Sequence, residues 1–165
     1  MNQELIRDKL SSNFPQEVIQ SAVLFGEQIS VTVSAEKILE VCLFLKEDSD
    51  LAFDFLSFVA GVDRYPKAPR FEVVYQLYSL KHNHRFRVKT LLNEPENGLP
   101  EVDSVTGIWP TADWHERETA EMFGITFNNH PDPRKLLLPE NWSIHPLRKD
   151  FPLQGTGEDT PDLPS

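Results

Sequence analysis

Prolines in the last third of the chain limit its possible conformations more than any other feature. They stand at positions 131, 133, 139, 146 and 152. Proline lacks a backbone N–H and fixes φ, so this stretch can form neither a continuous helix nor a central strand. Apolar residues nevertheless recur in it, among them Trp142, Leu147 and Phe151. Because such side chains need a surface that buries them, we predict an extended docking strap.

A short charged helix is predicted directly before these prolines. Thr111 is placed to cap its start, and Gly124 can supply the left-handed residue that ends it. Glu118 would share a helix face with Trp114 and Met122, so we expect its side chain to be partly buried.

The preceding part of the chain alternates helical and strand patterns. Helices are predicted at 2–14 and after Ser34, with strands at 18–25, 28–33, 53–62, 71–80 and 85–92 and a short strand or lead-in at 102–109. Asn2 and Ser34 are the expected N-caps, and Gly26 and the stretch 82–84 are the expected hairpin turns. The apolar density of 53–62 predicts a central strand buried on both faces. The order of elements predicts an α+β fold, with helices packed on one face of a mainly antiparallel sheet.

The domain organisation follows from these patterns. At 165 residues the chain has the length of one domain. We expect an α+β body at 1–110, the capped helix and extended docking strap at 111–153, and an acidic, flexible tail at 154–165.

Composition excludes several classes of function. The formal charge of −10 argues against nucleic acid as a partner, because phosphate binding depends on an excess of Lys and Arg. No window approaches the roughly 20 apolar residues that span a bilayer, and the N-terminus lacks a signal-peptide pattern, so we expect a cytoplasmic protein. The single cysteine, Cys42, cannot hold an iron–sulfur cluster by itself, since a cluster takes about four cysteines.

Candidate catalytic and metal sites are weak. No glycine-rich dinucleotide or phosphate loop follows a predicted strand. His82 and His84 could act as two metal ligands, but no Cys, third His or carboxylate stands at a spacing typical of a metal site. A polar hairpin turn explains the two histidines better. Glu116 and Glu118 would point about 200° apart on a helix, so they would not flank one substrate atom.

The strongest motifs lie in the last third and resemble a known family. They are Glu116-Arg117-Glu118, Met122-Phe123-Gly124-Ile125, His130-Pro131, Leu137-Leu138-Pro139, Trp142 and His145-Pro146-Leu147-Arg148-Lys149-Asp150-Phe151-Pro152. These strings resemble the C subunit of the proton-pumping type-I NADH:quinone oxidoreductase, respiratory complex I. The sequence departs from the family pattern at Glu121, where Asp is common, and at Asn129 and Ile144, where Gly is common.

The resemblance implies a structural subunit of the peripheral arm that binds no cofactor itself. FMN, the iron–sulfur clusters and quinone would be held by neighbouring subunits, and the isolated chain would be inactive. The implied partners are the large quinone-site subunit and the iron–sulfur subunits. Contact with the membrane would come only through the complex, at the cytoplasmic face of the inner (cell) membrane.

The resemblance also implies which residues form the partner interface. They are Glu116, Arg117, Glu118, Phe123, Gly124, His130, Pro131, Arg134, Lys135, Leu138, Pro139, Trp142, His145, Pro146, Leu147, Arg148, Lys149, Asp150 and Phe151. Three alternatives stay open. The chain could serve a ferredoxin-fed dehydrogenase or a membrane-bound hydrogenase, act as a soluble adaptor outside such a complex, or be a free-standing enzyme that uses Glu116, Glu118 and the histidines.

Overall fold

A computed structural model describes residues 3–25 and 28–154 of the chain. The helices are α1 (Gln3–Asn13), α2 (Ile38–Glu47) and α3 (Ala112–Phe123), with a short 3₁₀ turn at Ala35–Lys37 before α2. The strands are β1 (Ile19–Phe25), β2 (Gln28–Val33), β3 (Phe55–Asp63), β4 (Phe71–Ser79), β5 (His84–Leu92), β6 (Glu101–Asp103) and β7 (Thr126–Asn128). Asn2, Gly26 and the residues beyond 154 lie outside the described part, so the predictions made for them are not tested.

Five strands form one sheet in the order β1-β2-β5-β4-β3. Neighbouring strands are antiparallel except for β2 and β5, which run parallel with Val31 opposite Val88. Strands β6 and β7 form a separate parallel pair. The predicted α+β fold with a mainly antiparallel sheet is confirmed.

The hydrophobic core lies between one face of this sheet and the helices. Inward residues of β4 and β5, such as Tyr75 and Phe86, are fully buried. They belong to the same cluster as Leu10 of α1 and as Ile38 and Leu45 of α2. The helix predicted after Ser34 is therefore present as α2, and its free cysteine, Cys42, is also fully buried there. Burial, with a smaller effect from the nearby Glu116 carboxylate, raises the pKa of the Cys42 thiol.

The prediction of a central strand at 53–62 is wrong. Strand β3 is the edge of the sheet, paired only with β4. One side of β3 packs into the core through Leu56 and Val59, while Phe55, Phe58 and Val62 are 43%, 36% and 39% exposed. The apolar density of this strand therefore comes from a buried face together with an exposed apolar face.

Helix α3 lies against β3 with almost no space between them. A Cβ atom on Gly61 would stand 2.5 Å from Cδ2 of Phe123 and 2.9 Å from Cγ2 of Thr119. Gly124 ends the helix in the left-handed region, at φ 65° and ψ 53°, as predicted. The predicted cap at Thr111 is wrong, because its hydroxyl donates to the Leu56 carbonyl and makes no bond to the helix start.

Three smaller predictions also need correction. Ser34 precedes the 3₁₀ turn but makes no capping hydrogen bond through its side chain. His84 is buried and begins β5 instead of lying in the hairpin turn. The strand expected at 102–109 is limited to Glu101–Asp103, and Ile108 and Trp109 close turns on the Val105 carbonyl.

Beyond β7 the described chain, as far as residue 154, contains turns and bends without further helix or strand. Among the described residues, no helix is both long enough and apolar enough to cross a membrane.

Candidate functional site

The C-terminal end of α3 is enclosed by the segment 145–148. The last carbonyls of a helix have no partner within the helix and must find one elsewhere. Here the Gly124 N–H bonds to the Ala120 carbonyl at 2.8 Å. His145 Nδ1 donates to the Glu121 carbonyl at 2.8 Å, and the Leu147 N–H donates to the Met122 carbonyl at 3.1 Å.

Arg148 completes this arrangement. Its Nε donates to the Phe123 carbonyl at 2.7 Å, and its Nη2 donates to the Gly124 carbonyl at 3.2 Å. The guanidinium also lies 5.0 Å from the centre of the Phe71 ring. A cation at a helix C-terminus is favourable because the helix dipole is negative there. Segment 145–148 thus satisfies the whole end of α3.

Two charged residues of α3 hold an earlier part of the segment. The Glu121 carboxylate accepts three backbone N–H bonds, from residues 136–138, at 2.9–3.1 Å. Arg117 donates to the carbonyls of Arg134 and Lys135 at 2.8 and 3.1 Å. These bonds to the backbone fix the path of residues 134–138.

Glu116 and Glu118 occupy positions opposite to those predicted. Glu116 is fully buried, whereas Glu118 is exposed, so the expectation of a partly buried Glu118 is wrong. The Glu116 carboxylate accepts bonds from the Ser104 hydroxyl at 2.6 Å and the Val105 N–H at 2.8 Å. Burial raises the pKa of Glu116 to about 7, although these two donors oppose the change. Its role is to attach the 104–105 loop to α3.

His130 lies beside this carboxylate without a normal hydrogen bond to it. Its Nε2 is 3.8 Å from Oε2 of Glu116 and 3.1 Å from the Asp113 carbonyl. Its Nδ1 accepts the N–H of Asp132 at 3.0 Å. This assigns the ring proton to Nε2, which donates to Asp113. His130 and His145 therefore have a shared function, since each attaches the segment to a backbone carbonyl of α3.

A buried arginine in the body holds the end of the segment. Arg70 makes a bidentate pair with Asp63, at 3.1 and 2.9 Å, and also contacts Glu94 at 2.8 Å and Asp150 at 2.8 Å. The Lys149 N–H donates to Oδ2 of Asp63 at 2.8 Å. Burial opposes ionisation of Asp63, but the bonds from Arg70 and Lys149 prevail and lower its pKa to about 2.

The predicted interface residues thus separate into three groups by position. One group makes the internal bonds described above: Glu116, Arg117, Gly124, His130, His145, Arg148, Asp150 and the backbone of Lys149. A second group is exposed: Glu118, Pro131, Arg134, Leu147 and the side chain of Lys149. The rest are half-buried: Phe123, Lys135, Leu138, Pro139, Trp142, Pro146 and Phe151. The side chains that another protein can reach are those of the second and third groups, together with Asp150, whose side chain is 48% exposed.

Sequence reasoning missed Asp63, Arg70 and Glu94, and it did not predict the bonds from Glu121 to the segment. A usable signal was present for two of them. Asp63 ends an apolar run, and Arg70 begins the next one, on the two sides of a turn that contains Pro66 and Pro69. Opposite charges at facing strand ends favour an ion pair. The bonds of Glu121 to residues 136–138 are not encoded by any local spacing.

A small cavity of about 230 Å³ lies between α3 and the segment. Its lining includes apolar Ala120, Ile125 and Phe127 beside the bonded groups Arg117 and Glu121. Within the described part of the chain, no three His, Cys, Asp or Glu side chains are placed to hold one metal ion. Helix α3 and the segment on the two sides of this cavity are held together by the hydrogen bonds described above.

The family model described as "Respiratory-chain NADH dehydrogenase, 30 Kd subunit" matches residues 31–157. The chain belongs to this family. The match begins within β2 and includes α2, β3 to β7, α3 and the segment attached to α3, so it covers the region in which the bonds to α3 lie.

Relatives of this chain carry a consistent description, as C subunits of NADH-quinone oxidoreductase. The chain is 54% identical over 123 residues to the C 2 subunit of Rhizobium meliloti, a match covering 74% of this chain and 65% of the relative. It is 45% identical over 152 residues to the C subunit of Geobacter metallireducens, covering 92% and 90%. For the C subunit of Roseiflexus sp. the identity is 44% over 148 residues, covering 90% and 83%. The chain thus spans just under two thirds of the Rhizobium meliloti relative.

A solved structure supports the fold as well. The chain resembles a chain of the membrane-bound sulfane sulfur reductase, an archaeal respiratory membrane complex, with a TM-score of 0.74 and 25% identity. The likeness covers 93% of this chain and 87% of the other.

Proposed function

We propose that this chain is a structural subunit, without a cofactor of its own, in the peripheral arm of a proton-translocating NADH:quinone oxidoreductase. It would brace the large quinone-site subunit and the iron–sulfur subunits, so that electrons pass from NADH through flavin and clusters to quinone. Peripheral attachment at the cytoplasmic face of the inner membrane is part of the proposal.

The proposal rests on one observation: the segment 129–151 is held in place by its polar groups and exposes apolar side chains. Its polar groups bond to α3 and the body, which holds the backbone in one path. Apolar side chains stay exposed on that fixed path: Leu137 is 62% and Leu147 is 55% exposed. Trp114 on α3 adds a side chain that is 65% exposed. Large apolar side chains held on a rigid support are typical anchors of protein interfaces.

The exposed Leu147 provides the sharpest test. An Arg148→Ala variant would not separate docking from folding, because Arg148 holds the end of α3. Leu147→Ser keeps the N–H bond to Met122 and removes only the exposed side chain. Leu43→Ser is the matched control, since Leu43 is 44% exposed on α2.

The measurement is affinity purification of a tagged chain from solubilised membranes. The wild type and Leu43→Ser should bring down flavin and iron–sulfur subunits, and Leu147→Ser should bring down at least fivefold less. Truncating an interface anchor often costs 2 kcal/mol or more, a factor of about 30 in affinity. A wild-type chain that recovers no cluster-bearing subunits would refute the proposal, and so would NADH oxidation by the purified chain alone.

A second candidate is the equivalent subunit of a related complex with another electron donor. The structural likeness to a chain of the sulfane sulfur reductase supports this second candidate, because that complex is also respiratory and membrane-bound. The same purification distinguishes the two candidates. Recovery of a flavin subunit that oxidises NADH supports the first candidate, and recovery of a ferredoxin-dependent or hydrogenase module supports the second.

A further inference from the structure

A second surface lies on the side of the sheet that faces away from the core. We call it the outer groove and define it by Phe55, Phe58, Gln76, Arg85 and Arg87. These side chains, with Ser57 and Tyr78, line a depression of about 420 Å³ across β3, β4 and β5. Strand register places them on one face, since Phe58 lies opposite Gln76 and Gln76 lies opposite Arg87.

The apolar part of the outer groove is poorly suited to remain in water. Phe55 and Phe58 are both substantially exposed, and Val62 continues the apolar row along the same strand. This strand is also the edge of the sheet. Exposed aromatic side chains on an edge strand favour association, and natural proteins usually protect such edges. A bound partner would provide that protection.

The charged part of the outer groove indicates what kind of partner it is. Arg87 Nε donates to Oε1 of Gln76 at 3.0 Å, and Gln76 in turn donates to the Phe86 carbonyl at 3.2 Å, which orients the guanidinium. Arg85 is exposed on the same face. Within the described residues, neither arginine has a carboxylate within 4.0 Å, whereas Lys89 nearby is paired with Glu72 at 2.9 Å. Two guanidinium groups on one face, with no carboxylate near them among the described side chains, match carboxylates of a partner.

We propose that the outer groove binds an acidic and apolar surface of another protein subunit in the same complex. Carboxylates of that subunit would pair with Arg85 and Arg87, and its aliphatic or aromatic side chains would cover Phe55 and Phe58. This inference rests on the proposed function, because it takes the partner from the assembled complex. A second copy of the chain fits less well, since mating the same face twice would bring arginines against arginines. Nucleic acid is disfavoured by the chain's net charge of −10.

Two single variants test the apolar and charged parts separately. Phe58→Ser removes an exposed ring, and Arg85→Glu reverses a charge that makes no described internal contact. The matched controls are Leu43→Ser on α2 and Arg7→Glu on α1, both exposed and away from the outer groove. In affinity purification of the whole complex from membranes, each groove variant should lower recovery of partner subunits at least fivefold. The controls should stay within twofold of the wild type.

A photo-cross-link identifies what covers the groove. The variant Phe58→benzoylphenylalanine, irradiated in the assembled complex, should link to one other subunit through a segment that contains Asp or Glu. The inference is overturned by a link to a second copy of this chain, by a link to nucleic acid or lipid, or by no link. Unchanged recovery for both groove variants would overturn it too. If the wild-type chain recovers no complex, the proposed function itself has failed. If the wild-type chain recovers the complex and the groove variants recover as much, only this inference has failed.

Discussion

Replacing Gly124 by alanine should separate backbone strain from crowding at the end of α3. Gly124 has φ 65°, a conformation that L-residues other than Asn and Asp rarely adopt. A Cβ there would also stand 2.5 Å from Cδ2 of His145 and 2.7 Å from Nη2 of Arg148. Both side chains donate to carbonyls of the helix end, so the new methyl group would push on the bonds that hold the segment.

The two effects can be estimated independently. The left-handed conformation costs a residue with a Cβ roughly 1–2 kcal/mol. Displacing His145 would remove its bond to the Glu121 carbonyl, and displacing Arg148 would remove bonds to the Phe123 and Gly124 carbonyls. At about 0.5–1.5 kcal/mol for each bond, losing two of the three adds roughly 1–3 kcal/mol. We expect Gly124→Ala to lower the free energy of unfolding by about 2–5 kcal/mol.

The chain contains two glycines that serve as controls. Gly98 also has a positive φ, 89°, but a Cβ there would meet nothing within 4 Å. Gly107 has open space as well and no positive φ. Alanine at position 98 therefore measures strain alone, and alanine at position 107 measures neither effect. In urea unfolding, the loss of unfolding free energy should be larger for Gly124→Ala than for Gly98→Ala by about 1–3 kcal/mol. Adding His145→Ala to Gly124→Ala should cost less than His145→Ala costs in the wild type, because the bond of His145 is then already lost.

The urea data can also refute this reasoning. Equal losses for Gly124→Ala and Gly98→Ala would show that His145 and Arg148 move aside at no cost. In that case the bonds at the end of α3 would contribute little to stability. A loss of similar size for Gly107→Ala would show that the effect has no relation to the helix end.

Three further changes test other contacts. The Glu116 carboxyl has a pKa of about 7 in the folded protein, so the folded wild type holds this proton more tightly than the unfolded chain does. The free energy of unfolding of the wild type should therefore fall by about 3 kcal/mol from pH 4.5 to pH 7. Thermal unfolding from pH 4 to 8 should show no such fall for Glu116→Gln, which has no carboxyl to titrate. Arg70→Lys should lower the free energy of unfolding in urea by about 2–4 kcal/mol, because lysine cannot make the bidentate pair with buried Asp63. An unchanged unfolding midpoint would contradict this. Glu121→Gln leaves one acceptor oxygen for three N–H groups, so amide hydrogen exchange at residues 136–138 should accelerate at least tenfold, while that of β4 should not change.

Much of the fold is predictable from local patterns. Alternation of apolar and polar residues located β4 and β5, and Gly124 marked the end of α3. The parallel pairing of β2 with β5 could not be predicted in the same way. It joins strands that are far apart in the sequence, and no spacing encodes which strand of the hairpin lies beside β5. The exposed apolar face of β3 was likewise misinterpreted, because apolar density alone does not distinguish a covered core strand from an edge strand with exposed apolar residues.

The candidate site shows the same limit. The motifs lie in α3 and in the segment that binds it, but they did not indicate which side chains turn inward. Glu116 and Glu118 are two residues apart, and the rotation of α3 decides which of them is buried. That rotation is set by close packing of the helix on Gly61 of β3, a contact between distant parts of the sequence. Arg70 and Asp63 were missed for a related reason: their importance comes from Lys149 and Asp150, which reach them from the end of the segment.

The segment that follows β7 is attached to α3 at three separate places: His130, residues 134–138 and residues 145–148. The stretch 139–144 makes no described hydrogen bond to α3 and connects the last two of these attachments. Lengthening a flexible connection is inexpensive, since each doubling of its length costs about 0.6 kcal/mol in closure entropy. Insertions at this point should therefore leave both attachments intact, whereas insertions within either attachment would break them. The stretch 139–144 is a suitable place for a fluorescent or affinity label that reports on the subunit without disturbing its fold.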